Sequence, residues 1–220
     1  MTQALKNLRR DGAQTQEKLL KAAAKLFDQY GFAGATSKDI CQKAGTDVAA
    51  INYHFGSRAN LYQTILQTGH EYFISVKFLQ KLQKADLTAE QKLHSFFSEI
   101  VRNLHQKNSL SARIFAREVL TPTPDFADLI AAIVQPKFQI LRQIVADILD
   151  LKITDKQNDA LLLRCVANVI APCLMILVTG NNAAMPTHSL LKQKQEDLVE
   201  HMYQFALAGL KIVSKSNLKA

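Results

Sequence analysis

The stretch Thr36–Leu61, TSKDICQKAGTDVAAINYHFGSRANL, decides how the rest of the chain is read. Thr36 and Ser37 offer an N-cap to a short helix ending at Ala44, because their hydroxyls can accept the first unpaired amide N–H groups. A second short helix spans Val48–Phe55 and is stopped by Gly56-Ser57. Two such helices can pack steeply only under three conditions: a small side chain midway along the first, a turn residue tolerating positive φ, and a bulky apolar residue reaching back from the second. Cys41, Gly45 and Ile51 fill those places, with Ile40, Ala44, Val48 and Phe55 completing the expected core.

With Val48, Ile51 and Phe55 inward, the 100° helical step turns Ala49, Ala50 and Tyr53 outward and leaves Asn52 and His54 on the flanks. Small side chains at a helix start let the backbone approach base edges in a major groove, Asn can pair with adenine, and Tyr, His and Arg can hold phosphate. Asp47 fits as the cap of this helix, since a carboxylate facing phosphate would be repelled. The surroundings agree in charge. Residues 1–68 hold nine basic side chains, including Lys6, Arg9, Arg10, Lys18, Lys21, Lys25, Lys38, Lys43 and Arg58, against five acidic ones, within a chain of net charge +8. An anionic partner at the N-terminal third follows.

Working outward, the spacing predicts an all-α fold. A first helix runs over residues 15–30 and stops at Gly31. A long fourth helix covers residues 58–81. Thr88-x-x-Gln91 forms a capping-box pattern ahead of Leu93–Leu104. A helix over residues 109–120 ends at Thr121-Pro122, one over residues 125–149 must break or kink near Pro136, and Thr154-x-x-Gln157 caps another reaching Val178 with a kink at Pro172. The last helix spans residues 190–213. Nowhere is there sustained period-two alternation. The longest apolar run, Cys165–Val178, is read as a buried helix too short to cross a bilayer. No secretory signal precedes the domain, and Cys41, Cys165 and Cys173 have no C-x-x-C spacing, so a cytoplasmic chain without disulfides is expected.

Residues 15–66, through the run at Thr36–Leu61, resemble the DNA-binding domain of the TetR/AcrR family of bacterial transcription regulators. The resemblance implies a DNA-binding helix-turn-helix domain at residues 1–66. A helical effector-binding and dimerisation domain follows at residues 67–220, joined by the long fourth helix. The C-terminal half is more weakly similar, around Arg113–Pro124 and Phe126–Leu141, to a subgroup with a domain of uncharacterised function. Carried over by position, base contacts fall to Lys38, Val48, Ala49 and Ala50, and phosphate contacts to Ser37, Tyr53, His54 and Arg58. The residues themselves add Asn52. The sequence departs from the family at Cys41, Thr46-Asp47, Asn52 and Arg58; the first and last are conservative in size or charge, while Asp47 and Asn52 leave the operator sequence open. The segment Lys6-Asn7-Leu8-Arg9-Arg10 reads either as a basic arm for the minor groove or as a charged terminus.

Elsewhere the candidates are sparser. Tyr72, His94, Phe97, Arg113, Phe115 and Arg117 are candidate linings of an effector pocket among the middle helices. Arg113 and Arg117 share a helical face and suit either an acidic or carbonyl-bearing ligand or a structural ion pair with Glu99 or Asp125. His94 and His105 are eleven residues apart, too far for one metal, and no Glu-x-x-His occurs, so neither metal nor cofactor is expected. No G-x-G-x-x-G, Walker A, G-x-S-x-G or H-E-x-x-H pattern nominates a catalytic centre. The reading is therefore a homodimeric, ligand-responsive regulator, in outline a repressor on a palindromic operator, dimerising through the apolar helices at residues 161–178 and 190–213 and not bound to membrane. An adaptor using the basic face, and an enzyme, are the other readings weighed.

Overall fold

The computed structural model describes the backbone of residues 3–106, 109–180 and 182–217, with side chains from residue 11 to residue 215 of these. Among the described residues there are α-helices and short 3₁₀ turns and no strand. The chain forms two compact units: Met1–His70 with Ser109–Thr121, and Glu71–Asn108 with Pro122–Ala220. The segment 109–121 thus packs with the N-terminal helices, which a single division after residue 66 does not anticipate.

The first unit contains α1 (Gln3–Gly34), α2 (Ser37–Ala44), α3 (Ala49–Phe55), most of α4 (Arg58–Phe73) and α7 (Leu110–Leu120). Gly31, the expected stop of α1, is a kink instead, with φ 72° and ψ 178°, and helix continues to Gly34. At the other end α1 reaches back to Gln3, so the basic segment 6–10 is helical backbone; its side chains lie outside the described residues. The core is Leu19, Ala23, Phe27, Ile40, Ile51, Leu61, Tyr62 and Ile65, all essentially inaccessible. Tyr62 stands edge-on to Phe27 at 4.8 Å and 5.0 Å from Phe32.

The second unit holds the end of α4, then α5 (Val76–Lys84), α6 (Ala89–His105), α8 (Ala127–Leu149), α9 (Asp159–Thr179) and α10 (Gln195–Asn217). The expected continuous helix over residues 58–81 breaks at Ile74-Ser75. Ser75 is extended and its hydroxyl accepts the Phe78 N–H at 3.0 Å, starting α5. The carbonyls at the break are taken by buried side chains, Phe73 O by Asn103 Nδ2 at 3.3 Å and Ile74 O by Lys137 Nζ. Both partners come from helices distant in sequence, which is why local spacing missed the break.

Other expectations divide cleanly. Thr88 and Gln91 form the reciprocal capping box, whereas Thr154 caps nothing: a 3₁₀ turn, Lys156–Asn158, precedes α9. Helix α8 runs through Pro136 and α9 through Pro172, each as a single helix. The expected start of the last helix at Leu190 is also corrected, since Pro186–Lys192 is 3₁₀ and α10 begins at Gln195. Segments Pro124–Leu149 and Lys156–Thr179 are long and apolar enough to cross a membrane by length and composition, longer than the Cys165–Val178 run suggested. In the structure α8 and α9 pack on each other, and α6 and α10 pack on both.

Burial pushes the Lys137 amine down to about 7, against a smaller opposing effect of Glu71, whose carboxylate lies 4.0 Å away. The folded protein then releases a proton that the unfolded chain keeps up to its ordinary value of 10.5, so stability rises with pH above about 7. Urea unfolding between about pH 7 and 9 should show that rise, and Lys137→Met should flatten it; equal slopes in both proteins would contradict the assignment.

Candidate nucleic-acid interface

Helix α2 starts where Thr36 makes a capping box. The Thr36 hydroxyl oxygen accepts the Asp39 N–H at 3.2 Å, and the Asp39 carboxylate accepts from the Thr36 hydroxyl at 2.6 Å and the Thr36 N–H at 3.3 Å. Those bonds, the hydroxyl first, hold the Asp39 carboxyl below its usual range. Gly45 ends the helix at φ 67° and ψ 42°, the left-handed conformation that L side chains resist. Thr46 N–H donates to Cys41 O at 3.0 Å. Cys41, Ile40 and Ile51 are buried, as the three-point packing argument requires.

Asp47 then caps α3: its carboxylate accepts the Ala49 N–H at 2.9 Å and its carbonyl the Ala50 N–H at 3.0 Å. Ala49, Asn52 and Tyr53 are exposed, Tyr53 to 85%, while Ala50 and His54 are half-buried. The His54 ring stands edge-on to Tyr53 at 4.9 Å. Val48 is 49% exposed, which corrects its expected place in the core. Its backbone is already helical, with φ −62° and ψ −30°, and it opens the first turn of α3. Lys38 is exposed and Ser37 half-buried at the start of α2. The junction to α4 is capped from both sides: Ser57 Oγ accepts the Asn60 N–H at 3.0 Å, and Asn60 Nδ2 donates to Phe55 O at 3.0 Å.

Arg58 opens α4 as expected, but its guanidinium is engaged within the protein. Nη1 donates to Phe32 O at 2.5 Å and to Ala35 O at 2.6 Å, and Cζ sits 4.0 Å above the Phe32 ring. Sequence reasoning missed this tie, since Phe32 and Ala35 carry no side-chain acceptor to betray it.

The six effector-pocket candidates do not fall in one unit. Tyr72, His94 and Phe97 belong to the second unit, and Arg113, Phe115 and Arg117 to the first. Arg113 holds Asp28 through two bonds, Nη2–Oδ2 at 2.5 Å and Nε–Oδ1 at 3.3 Å. Arg117 donates to Phe27 O at 2.7 Å and Asp28 O at 3.1 Å. The two arginines are therefore structural ties, to Asp28 and its neighbour and not to Glu99 or Asp125; Glu99 pairs with Arg102. Phe115 lies edge-on to His70 at 5.4 Å. In the second unit the Tyr72 hydroxyl donates to Gln106 O at 2.9 Å, and His94 lies 3.7 Å from Glu200 and edge-on to Tyr203. Phe97 lines a cavity of about 210 Å³ with Val169, Pro172 and Met202, and a groove of about 590 Å³ runs along α9 and α10.

A capped helix, a left-handed glycine turn and a second helix with an outward face of small and aromatic side chains define a helix-turn-helix protein. Residues 19–65 match the signature of bacterial regulatory proteins of the tetR family. Residues 89–210 match the C-terminal domain of the HTH-type transcriptional dual regulator CecR. The chain belongs to the TetR family, in the group with that C-terminal domain. It is 27% identical over 146 residues to CecR of Shigella flexneri, covering 61% of this chain and 65% of CecR. It is 24% identical over 134 residues to the probable HTH-type regulator YttP of Bacillus subtilis strain 168, covering 60% and 64%. The alignments thus span just under two thirds of each relative. The fold also resembles the TetR family regulator PfmR of Thermus thermophilus, with a TM-score of 0.64 at 17% identity over 86% of this chain and 97% of that one.

Arg58→Ala leaves two carbonyls without their donor and should lower unfolding free energy by about 1–3 kcal/mol, measured by chemical denaturation. A loss below about 0.5 kcal/mol would show that solvent replaces the guanidinium.

Proposed function

We propose that the chain is a sequence-specific, DNA-binding transcriptional regulator, a ligand-released repressor acting in the cytoplasm as a homodimer on a palindromic operator. The observation that carries this reading is the outward face of α3, where exposed Ala49 and Tyr53 flank a helix start capped by Asp47. Residues 1–66 are the DNA-binding domain in this reading and residues 67–220 the effector-binding and dimerisation domain. Lys38, Val48, Ala49, Ala50 and Asn52 meet base edges. Ser37, Tyr53, His54 and Arg58 meet phosphate, Arg58 through the N–H groups that Phe32 and Ala35 do not take. No metal or cofactor takes part.

The dimer reading is supported by the apolar side chains that α9 and α10 leave exposed: Leu163, Met175, Phe205 and Ile212. Phe205, at 77% exposure, stands at the groove lined by Ala171, Pro172 and Gly209. The effector is assigned to the second unit, beside Phe97 and in the unit that holds Tyr72 and His94; an apolar cavity of this kind suits an amphipathic or aromatic molecule.

Binding to duplex DNA flanking the protein's own gene should be sequence-selective and fall steeply with salt, whereas affinity indifferent to sequence would contradict the proposal. Substituting Ala49 or Ala50 should change which duplex is preferred, and Tyr53→Phe should weaken all duplexes alike; electrophoretic mobility shifts over a set of operator variants separate the two. Phe205→Asp should convert the dimer to monomer in analytical ultracentrifugation, and an unchanged sedimentation coefficient would remove α10 from the interface.

A further inference from the structure

Between α9 and α10 the second unit has a trough that these helices do not fill, because the side chains along it are small. Ala171 and Pro172 stand on the α9 wall, Ala206 and Gly209 on the α10 wall, and a Cβ added at Gly209 would meet nothing within 4 Å. Helix α10 packs mainly on α6, and Phe97 of α6 reaches the trough at one end. The cavity of about 210 Å³ there has a buried apolar floor of Phe97, Val169 and Met202. Its rim is exposed, with Asn168 and Pro172 from α9, and His201 and Phe205 from α10. The cavity shares Asn168, Val169, Pro172, Phe205 and Ala206 with the 590 Å³ groove, so the two are one continuous depression. The His201 ring lies stacked against Phe205, centroids 6.3 Å apart and planes at 26°.

Resting on the dimer reading above, we propose that the effector site in this cavity is completed by the second copy of the chain. A small molecule with one ring and one hydrogen-bonding group sits in it, the ring against Phe97, Val169 and Met202 and the polar group at Asn168. The rim lies on the same two helices that expose Leu163, Met175, Phe205 and Ile212, so a copy seated on those side chains roofs the cavity. Two costs then arise that such a molecule removes. An empty apolar void forfeits packing, and the Asn168 amide and His201 ring leave water for a mostly apolar surrounding, which is unfavourable without a hydrogen-bond partner. Size sets the class of molecule: a void of roughly 150 Å³ holds a benzene ring, so about 210 Å³ takes a ring with a small substituent or two. A molecule held more tightly by the dimer than by the monomer must tighten the dimer in return.

The test is sedimentation equilibrium of the full-length protein with two probes, p-cresol and toluene, which share a ring and differ by one hydroxyl. Saturating p-cresol should lower the monomer–dimer dissociation constant by about tenfold or more, and toluene by less than about threefold, since it leaves the Asn168 amide unpaired. Asn168→Leu, a change at the exposed rim, should bring the two probes within about twofold of each other. Methyl resonances of Met202 should shift with p-cresol, which places the probe in the cavity. A dissociation constant that p-cresol leaves unchanged or raises would overturn the shared site, as would Met202 methyls that do not respond. An Asn168→Leu protein that keeps the full preference for p-cresol would do the same. A chain that stays monomeric at every concentration, with and without probe, would sink the dimer reading itself, whereas a dimer indifferent to both probes sinks the shared site alone.

Discussion

A helix that ends inside a protein leaves carbonyls that something must satisfy, and the first unit is organised around that requirement at the end of α1. The Gly31 kink interrupts the helix, and the carbonyls on either side of it are taken by two arginines from elsewhere in the chain: Phe27 and Asp28 by Arg117, Phe32 and Ala35 by Arg58. Cationic donors also suit the negative end of a helix dipole. Because Thr36 caps α2 one residue after Ala35, the Arg58 bond fixes where α2 begins. The position of the reading helix is thus set by long-range polar ties laid over an apolar core of Phe27, Phe32 and Tyr62.

On that base, short-range chemistry shapes the outward face of α3. Gly45 turns the chain, Asp47 satisfies the first amides of α3, and Ser57 and Asn60 close its far end. Each cap consumes a polar group that would otherwise point outward, so the exposed face is left with Ala49, Asn52 and Tyr53, and Ala50 half-buried beside them. Such a surface has little side-chain bulk between backbone and groove. Before residue 68 basic residues outnumber acidic ones, nine to five, and the outward face of α3 itself carries no Lys, Arg, Asp or Glu.

The helix-turn-helix was legible in the sequence because its determinants are local. Thr36, Cys41, Gly45, Asp47 and Ile51 lie within sixteen residues and act on one another directly. The all-α class and most helix bounds were legible for the same reason, as periodicity and caps are local signals. What escaped was set by distant partners. The break of α4 depends on Asn103 and Lys137, and the fate of Arg113 and Arg117 on Asp28, 85 residues from the first of them. Spacing showed that those arginines share a face but could not show what the face meets. Val48, expected in the core, instead opens the first turn of α3 with helical backbone and about half its surface exposed.

In the proposed regulator the apolar side chains exposed on α9 and α10 serve a second copy of the chain and the outward face of α3 serves a groove. On the proposed reading both are met at once by a two-fold dimer whose α3 helices enter successive major grooves of a duplex. Hydroxyl-radical footprinting of the duplex bound in the gene's own flank tests this most directly. A dimer of that kind should give two protected stretches related by a dyad, with centres about one helical turn, roughly 10–10.5 base pairs, apart or a multiple of it. A single protected stretch without symmetry, or uniform protection along the fragment, would contradict it.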